Sequence, residues 1–285
     1  VKNPNYWGTD PIGPGKGNQV PYIDVIRTLY LTDRSTQLAA LRTGKIDYLG
    51  NFTRDEWNRE QQLTPRLQSA SSLSDTTGNR VFFMRTDKKD KPFSDVRVRK
   101  ALMMATDFNA IKEGLYSGAA EIDVWPLNSN FKATAYTPLS EMPQSVKDLY
   151  TYNPDKAKQL LKEAGYPNGF KTSVVVENLG SNVDEVSIFK DMWKKVGVEL
   201  VLDIKEASTF SSIQATKNYD EMLFRFNYSN WPQDFYFTSR RGASSNNLSF
   251  VNDPASGTAD QTVEDAFKKA DAAMMIDMST VYKVM

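Results

Sequence analysis

The first third of the chain changes from an alternating apolar pattern to a polar one. Residues 22–31 alternate and are therefore predicted to form a strand. Its apolar face consists of Ile23, Val25, Leu29 and Leu31. A short helix is predicted from Ser35 to a stop at Gly44, and a short strand over residues 45–49. This β–α–β piece is too small to form a core, and the polar, turn-rich residues 51–79 are predicted to cross between two lobes.

The remainder of the chain predicts strands and helices in alternation. A strand over residues 81–84 precedes a helix that Ser94 or Asp95 can cap, and a second helix begins at Asn153-Pro154 and ends at Gly165. Further strands are predicted over residues 172–176, 199–204 and 219–226, and further helices over residues 183–196, 210–216 and 263–273. Such alternation is typical of an α/β lobe with a mixed sheet.

Composition narrows the functional classes. The 285 residues suffice for two lobes, and 40% are apolar, so the chain can bury a normal core. Because 35 basic residues balance 35 acidic ones, no net charge draws the chain to nucleic acid. Cysteine and histidine are absent, which excludes disulfides, Cys or His metal sites and His-based catalysis within this sequence, and no cofactor is expected. The chain begins at Val1, and we interpret it as an excerpt of a longer protein.

Carboxylates are the main catalytic groups that remain. Asp184/Glu185 and Asp220/Glu221 are adjacent pairs, and neighbouring side chains in a helix or strand point apart. Glu199 and Asp203 share a strand face, but a solvated face of an edge strand accounts for them more simply. A hydrolase with paired carboxylates stays an alternative, which needs two carboxyl groups about 5–9.5 Å apart in a cleft.

Aromatic and amide side chains crowd the stretch after the predicted strand 219–226. Ligand crevices in α/β folds lie just beyond the strand ends, where rings can stack on a ligand and amides can donate hydrogen bonds. The predicted ligand-binding residues are Asn227, Tyr228, Asn230, Trp231 and Asp234, with Trp125 as a second, smaller example. The competing interpretation is that some of these rings belong to the core, and for Trp231 and Trp125 both readings stay open.

Several motifs together resemble one known family. They are residues 93–102 (FSDVRVRKAL), 105–107 (ATD), 116–119 (YSGA), 41–47 (LRTGKID), 152–157 (YNPDKA), 161–167 (LKEAGYP) and 3–7 (NPNYW). Together, and in their order along the chain, they resemble the bacterial extracellular solute-binding proteins, family 5, of the oligopeptide/dipeptide/nickel class. The match covers nearly the whole chain.

The resemblance implies a periplasmic-binding-protein-like type II fold, α/β, with mixed sheets flanked by helices. It implies one complete lobe over residues 81–285, truncated before its return, and part of a first lobe over residues 1–80. It also implies a non-enzymatic receptor of an ABC importer that closes two lobes on its ligand and works with a membrane permease. Such proteins are exported to the periplasm or the outer face of the cell membrane, often with a lipid anchor, and we expect a monomer.

The ligand class is less determined. Peptide-binding members of the family place an aspartate against the peptide's α-amino group, and that position falls at Ser229 or Asn230 here, neither of which is charged. Asp234 lies close enough to substitute, and the aromatic and amide side chains suit an oligosaccharide as well as a short peptide. A nickel complex fits less well because histidine is absent. A sensor module of a transcriptional regulator is the third alternative.

Overall fold

The computed structural model describes residues 2–70, 79–124, 136–227, 247–274, 276–277 and 279–281. It divides into two compact units, Val1–Ser69 and Ala70–Met285. Within the described ranges, no helix is long and apolar enough to cross a lipid bilayer.

The first unit contains two helices, α1 (Arg34–Arg42) and α2 (Arg54–Leu63). Asp33 caps α1 by accepting a hydrogen bond from the backbone N–H of Thr36 at 2.8 Å. α2 begins with a capping box, in which Thr53 and Glu56 each accept a hydrogen bond from the other's backbone N–H. Arg34 of α1 also pairs with Glu56 at 2.9 Å. The Glu56 carboxylate therefore both caps the start of α2 and joins α2 to α1.

Three expectations for this unit are corrected by the structure. Neither residues 22–31 nor residues 45–49 form a strand, and residues 51–79 contain α2 in addition to the expected turns. In the predicted strand, Ile23, Val25 and Leu29 are exposed. The physical reason is that an alternating pattern needs neighbouring strands to pair with, and the described part of this unit supplies none.

The second unit is built on a four-stranded sheet. Its strands are β1 (Asn79–Met84), β2 (Phe170–Glu177), β3 (Val198–Lys205) and β4 (Met222–Asn227). They lie in the order β1-β4-β2-β3. β1 runs antiparallel to β4, whereas β4, β2 and β3 are parallel to one another, so the sheet is mixed, as predicted.

Seven helices of the second unit are described. They are α3 (Val96–Met104), α4 (Phe108–Tyr116), α5 (Gln144–Tyr150), α6 (Pro154–Glu163), α7 (Gly180–Lys194), α8 (Ala207–Thr216) and α9 (Gln261–Ala273). Of the two predicted caps for α3, Asp95 is the one used, since it accepts from the backbone N–H of Arg97. Asn153 caps α6, and Pro154 occupies the first turn. α4 and α5 were not predicted from the sequence.

The sheet carries a core on each face. On one face, α3, α6 and α7 cover a large cluster that includes Val174, Val176 and Phe224, all fully buried. On the other face, Phe210 of α8 and Leu248 pack around Val175 and Leu223 in a smaller cluster. Because the sheet is apolar on both sides, β2 shows a nearly continuous apolar run from Val174 to Val176. Helices on both faces of a mixed sheet confirm the predicted α/β class.

Candidate functional site

The carboxyl edge of the parallel strands is the part of the second unit where a ligand crevice is expected. β2 ends at Glu177 and leads into α7, while β4 ends at Asn227. Asn227 pairs with Asn79, the first residue of the antiparallel strand β1. The start of β1, the end of β4 and the start of α7 therefore meet at this edge.

A group of four polar side chains lies at this edge, and we call it the edge cluster: Arg80 of β1, Tyr116 of α4, and Asn182 and Glu185 of α7. Nε of Arg80 lies 2.8 Å from Oε2 of Glu185. Nη1 of Arg80 donates a hydrogen bond of 2.7 Å to Oδ1 of Asn182. Because Asn182 and Glu185 are three residues apart on a helix, they lie on one face and hold a single guanidinium between them.

The edge cluster is charged and largely buried. The side chain of Glu185 is 3% exposed and that of Arg80 is 19% exposed. Burial raises the pKa of Glu185, although the charge of Arg80 and a hydrogen bond with Tyr116 act in the opposite direction. Burial also raises the pKa of Tyr116, which keeps its hydroxyl protonated. Removing both charges from water is costly, so the pair is poorly explained as a device for stability and better explained as one that fixes the guanidinium in place.

The edge cluster was not predicted from the sequence, although the sequence contains a signal for the burial of Glu185. On α7 the buried positions are Asn182, Glu185, Val186, Phe189, Met192 and Trp193. Helical periodicity through the apolar members of this set places Glu185 on the buried face. A buried carboxylate requires a partner, and Arg80, which precedes the apolar residues 81–84 of β1, is the cation that supplies it.

Of the ligand-binding residues predicted from the sequence, Asn227 lies at the carboxyl edge as the last residue of β4. The other five lie outside the residues that the structure describes, and they stay predictions. These are Trp125, Tyr228, Asn230, Trp231 and Asp234.

Of the carboxylates considered for catalysis, Glu185, Asp220, Glu221 and Glu199 have structural partners. Asp184 is exposed while Glu185 is buried, so the two point apart as expected. Asp220 forms ion pairs with two lysines at the amino end of β4, and its neighbour Glu221 accepts a 2.7 Å hydrogen bond from the backbone N–H of Ser173. Glu199 pairs with Lys171 at 3.3 Å on the exposed face of the edge strand β3.

The sequence profile described as "Bacterial extracellular solute-binding proteins, family 5 Middle" matches residues 1–248. The chain belongs to this family. Among curated members, heme-binding protein A of Haemophilus influenzae is 30% identical in an alignment 208 residues long, which covers 70% of this chain and 33% of that protein. A putative ABC transporter peptide-binding protein of Brucella ovis is 27% identical in an alignment 232 residues long, which covers 73% of this chain and 41% of the relative.

The family 5 fold is also evident from solved structures. The periplasmic binding protein DppA of Helicobacter pylori, in complex with the peptide STSA, superposes with a TM-score of 0.64 at 21% identity. The superposition covers 89% of this chain and 46% of DppA. The predicted periplasmic-binding-protein-like fold is confirmed. The chain thus spans a third to about half the length of these three proteins.

Proposed function

We propose that this chain is the middle part of a solute receptor for an ABC importer, and that the complete protein captures a short peptide between two lobes. The observation that carries the proposal is the family 5 match over residues 1–248. The position of Asn227 and the edge cluster at the carboxyl edge supports a ligand site there. The complete receptor is exported to the periplasm or the outer face of the cell membrane, acts as a monomer with a membrane permease, and catalyses no reaction.

The ligand class follows from the chemistry that the chain offers. One relative is named for heme binding, but this sequence contains no histidine or cysteine to ligate iron or nickel. Another relative is named for peptide binding, and DppA holds a peptide. An oligosaccharide is the second candidate, because the aromatic and amide side chains at Tyr228, Asn230 and Trp231 suit sugar rings.

Calorimetry tests this proposal directly. The protein expressed from the complete gene is titrated with Ala-Leu-Ala and, separately, with maltotriose. We expect micromolar or tighter binding of the tripeptide. Trp231→Ala should weaken binding by ~1–3 kcal/mol if the indole packs on the ligand. Tyr152→Ala is the control, since Tyr152 is a partly exposed aromatic outside the predicted loop.

The 285-residue chain alone provides a second test. It offers only part of a two-lobed interface, and association costs of ~4–15 kcal/mol then exceed what the remaining contacts supply. We expect it to fold and to bind the tripeptide in the millimolar range or not at all. Absence of tripeptide binding by the complete protein would refute the peptide assignment, and maltotriose binding in its place would favour the second candidate.

A further inference from the structure

We propose that Glu185 makes ligand capture proton-linked: while ionised it holds the guanidinium of Arg80, and on taking up a proton it yields that guanidinium to an anionic group of the ligand. This inference rests on the proposed function, because it requires a ligand at the carboxyl edge of the sheet. It assigns a specificity to the edge cluster, namely a carboxylate on the ligand.

The register of the sheet puts Arg80 at that edge. Arg80 pairs with Phe226, two positions beyond Phe224, and Phe224 pairs with Val176 near the end of β2. The side chain is mostly but not wholly buried. Its guanidinium is therefore fixed from behind by α7 while part of the side chain remains open to solvent.

Glu185 competes with any incoming anion for the guanidinium of Arg80. Among the residues that the structure describes, the titratable and charged groups that face Glu185 are Arg80 from β1 and Tyr116 from α4. Asn182, on the same helix, contributes no charge. The pair of Arg80 and ionised Glu185 is neutral, so a ligand carboxylate at Arg80 would add a second negative charge in a largely buried site. Two carboxylates that share one cation at close range favour protonation of one of them.

The protonated partner should be Glu185 and not the ligand. Burial already raises the pKa of Glu185, and Arg80 is the main influence that lowers it. When a ligand carboxylate engages Arg80, that lowering influence weakens and the pKa of Glu185 rises further. A peptide α-carboxyl group has an ordinary pKa of about 3.3–3.7 and stays ionised above about pH 4. The proton comes from solvent, and Tyr116, whose own pKa is raised, stays neutral beside the protonated acid.

Linkage then gives the direction of the pH dependence. A group whose pKa rises on binding takes up a proton, so affinity increases as the pH falls through the interval between its free and bound pKa values. A single linked proton changes affinity by at most tenfold per pH unit. Guanidinium forms paired hydrogen bonds with a carboxylate, so a free peptide C-terminus is the group that fits.

The test uses the protein expressed from the complete gene and two probes, Ala-Leu-Ala and its C-terminal amide. In the wild-type protein we expect the affinity for the free acid to rise on acidification, by at most tenfold per pH unit, over the interval between the free and bound pKa values of Glu185. We expect the amide to bind with little pH dependence. Calorimetry in buffers of different ionisation enthalpy should show up to one proton taken up per tripeptide bound.

Two variants of α7 separate the proposed role from a general charge effect. Glu185→Gln removes the competing charge and keeps the side-chain shape, so it should bind the free acid without pH dependence and at least as tightly as the wild-type protein at low pH. Asp184→Asn removes an exposed carboxylate from the same helical turn and should keep the wild-type pH profile.

The outcomes distinguish a failure of this inference from a failure of the proposed function on which it rests. If neither probe binds at any pH, the proposed function fails and the inference fails with it. If the free acid binds with no pH dependence and no proton uptake, or if Asp184→Asn alters the profile as Glu185→Gln does, only the inference is overturned. The number of protons that the wild-type protein takes up on binding the free acid tests the inference even if Glu185→Gln does not fold.

Discussion

The guanidinium of Arg85 lies 4.0 Å from the centroid of the Phe250 ring, over its face. The same side chain pairs with both carboxylate oxygens of Asp87, at 2.8 and 2.6 Å, and donates to the backbone carbonyl of Tyr219. Arg85 directly follows β1 and Tyr219 precedes β4, so one side chain joins the end of β1 and the start of β4 to the segment around Phe250. This segment covers the smaller of the two cores.

Replacement of Arg85 should therefore be costly. Arg85→Met leaves the Asp87 carboxylate unpaired in a site where its side chain is only 13% exposed, and breaking such a pair costs ~3 kcal/mol. The measurement is urea unfolding of the 285-residue chain. Arg97→Met is the matched control: Arg97 pairs with Asp95 at 2.5 Å but is 46% exposed, and we expect a loss below ~1 kcal/mol. Equal losses for the two variants would contradict the role given to burial.

The ion pair of Arg85 and Asp87 also predicts how the folding stability depends on pH under acidic conditions. Burial is the largest single influence on the pKa of Asp87 and would raise it, but the hydrogen bonds and the charge of Arg85, with a smaller contribution from Lys88, together hold the pKa below its usual value. The stabilising contribution of a carboxylate with a lowered pKa is complete above its unfolded-state pKa of about 3.9 and is lost as the pH falls through the folded-state value. In Arg85→Met, burial without the guanidinium raises the pKa of Asp87, so the stability difference between wild type and variant should be full at pH 7 and should shrink as the pH falls from that raised pKa to the lowered wild-type value.

Ionised Asp220 should also stabilise the fold, but by a smaller free energy than Asp87 does. Hydrogen bonds from Lys88 and Lys91 lower its pKa to about 2. Because the Asp220 side chain is 62% exposed, solvent screens the interaction, and we expect Asp220→Asn to cost less than ~1 kcal/mol at pH 7. The loss should decrease further in 1 M NaCl and disappear near pH 2. Thermal unfolding at two salt concentrations measures it, and an effect that salt leaves unchanged would exclude an ion pair as the cause.

The sequence predicted the second unit better than the first, for a physical reason. The elements around Val98, Leu161 and Val175 have apolar positions at helical or strand spacing and pack against one another within the same unit. Their pattern and their surroundings agree, so local reasoning succeeds. Residues 22–31 have an equally clear pattern, but strand formation depends on pairing partners that local sequence does not specify.

The candidate site was harder to predict because its groups come from distant parts of the sequence. Arg80 and Glu185 are far apart along the chain and meet only because β1 and α7 reach the same edge of the sheet. Periodicity can show that Glu185 is buried, but it cannot name its partner. The ligand-binding role of Trp231 was inferred from its position after a strand, and it stays a prediction.

A small substitution at Gly169 should cause a large loss of folding stability. It has a φ of 75°, and a Cβ atom built there would lie 1.9 Å from the backbone carbonyl oxygen of Gly197. This close approach lies where β2 begins beside β3, so Gly169→Ala should disturb the strand pairing and cost more than ~2 kcal/mol. Gly165→Ala is the control, because Gly165 also has a positive φ, 95°, but open space around it, and should cost only ~1 kcal/mol. Urea unfolding compares the two, and similar losses would show that backbone conformation alone matters.

The exposed apolar stretch in the first unit gives the last prediction. Val25 is 59% exposed, and an open groove of about 370 Å³ is lined by Lys2, Val20, Pro21, Tyr22, Ile23, Asp24 and Ile26. The chain spans 33% of one relative and 46% of another. We therefore expect residues 22–31 to pair as a strand in the protein expressed from the complete gene, with Val25 on the buried face and Thr28 on the other.

Hydrogen exchange and a pair of lysine substitutions test this. The backbone amides of residues 22–31 should exchange at least tenfold more slowly in the complete protein than in the 285-residue chain, because a strand partner would protect them. Val25→Lys should cost more than ~2 kcal/mol in the complete protein, where it would bury a charge, and Thr28→Lys should cost less. In the 285-residue chain both substitutions should lie within about ±0.5 kcal/mol, since both positions are exposed. Equal exchange in the two proteins would mean that this stretch remains unpaired, and its alternating pattern would then need a different explanation.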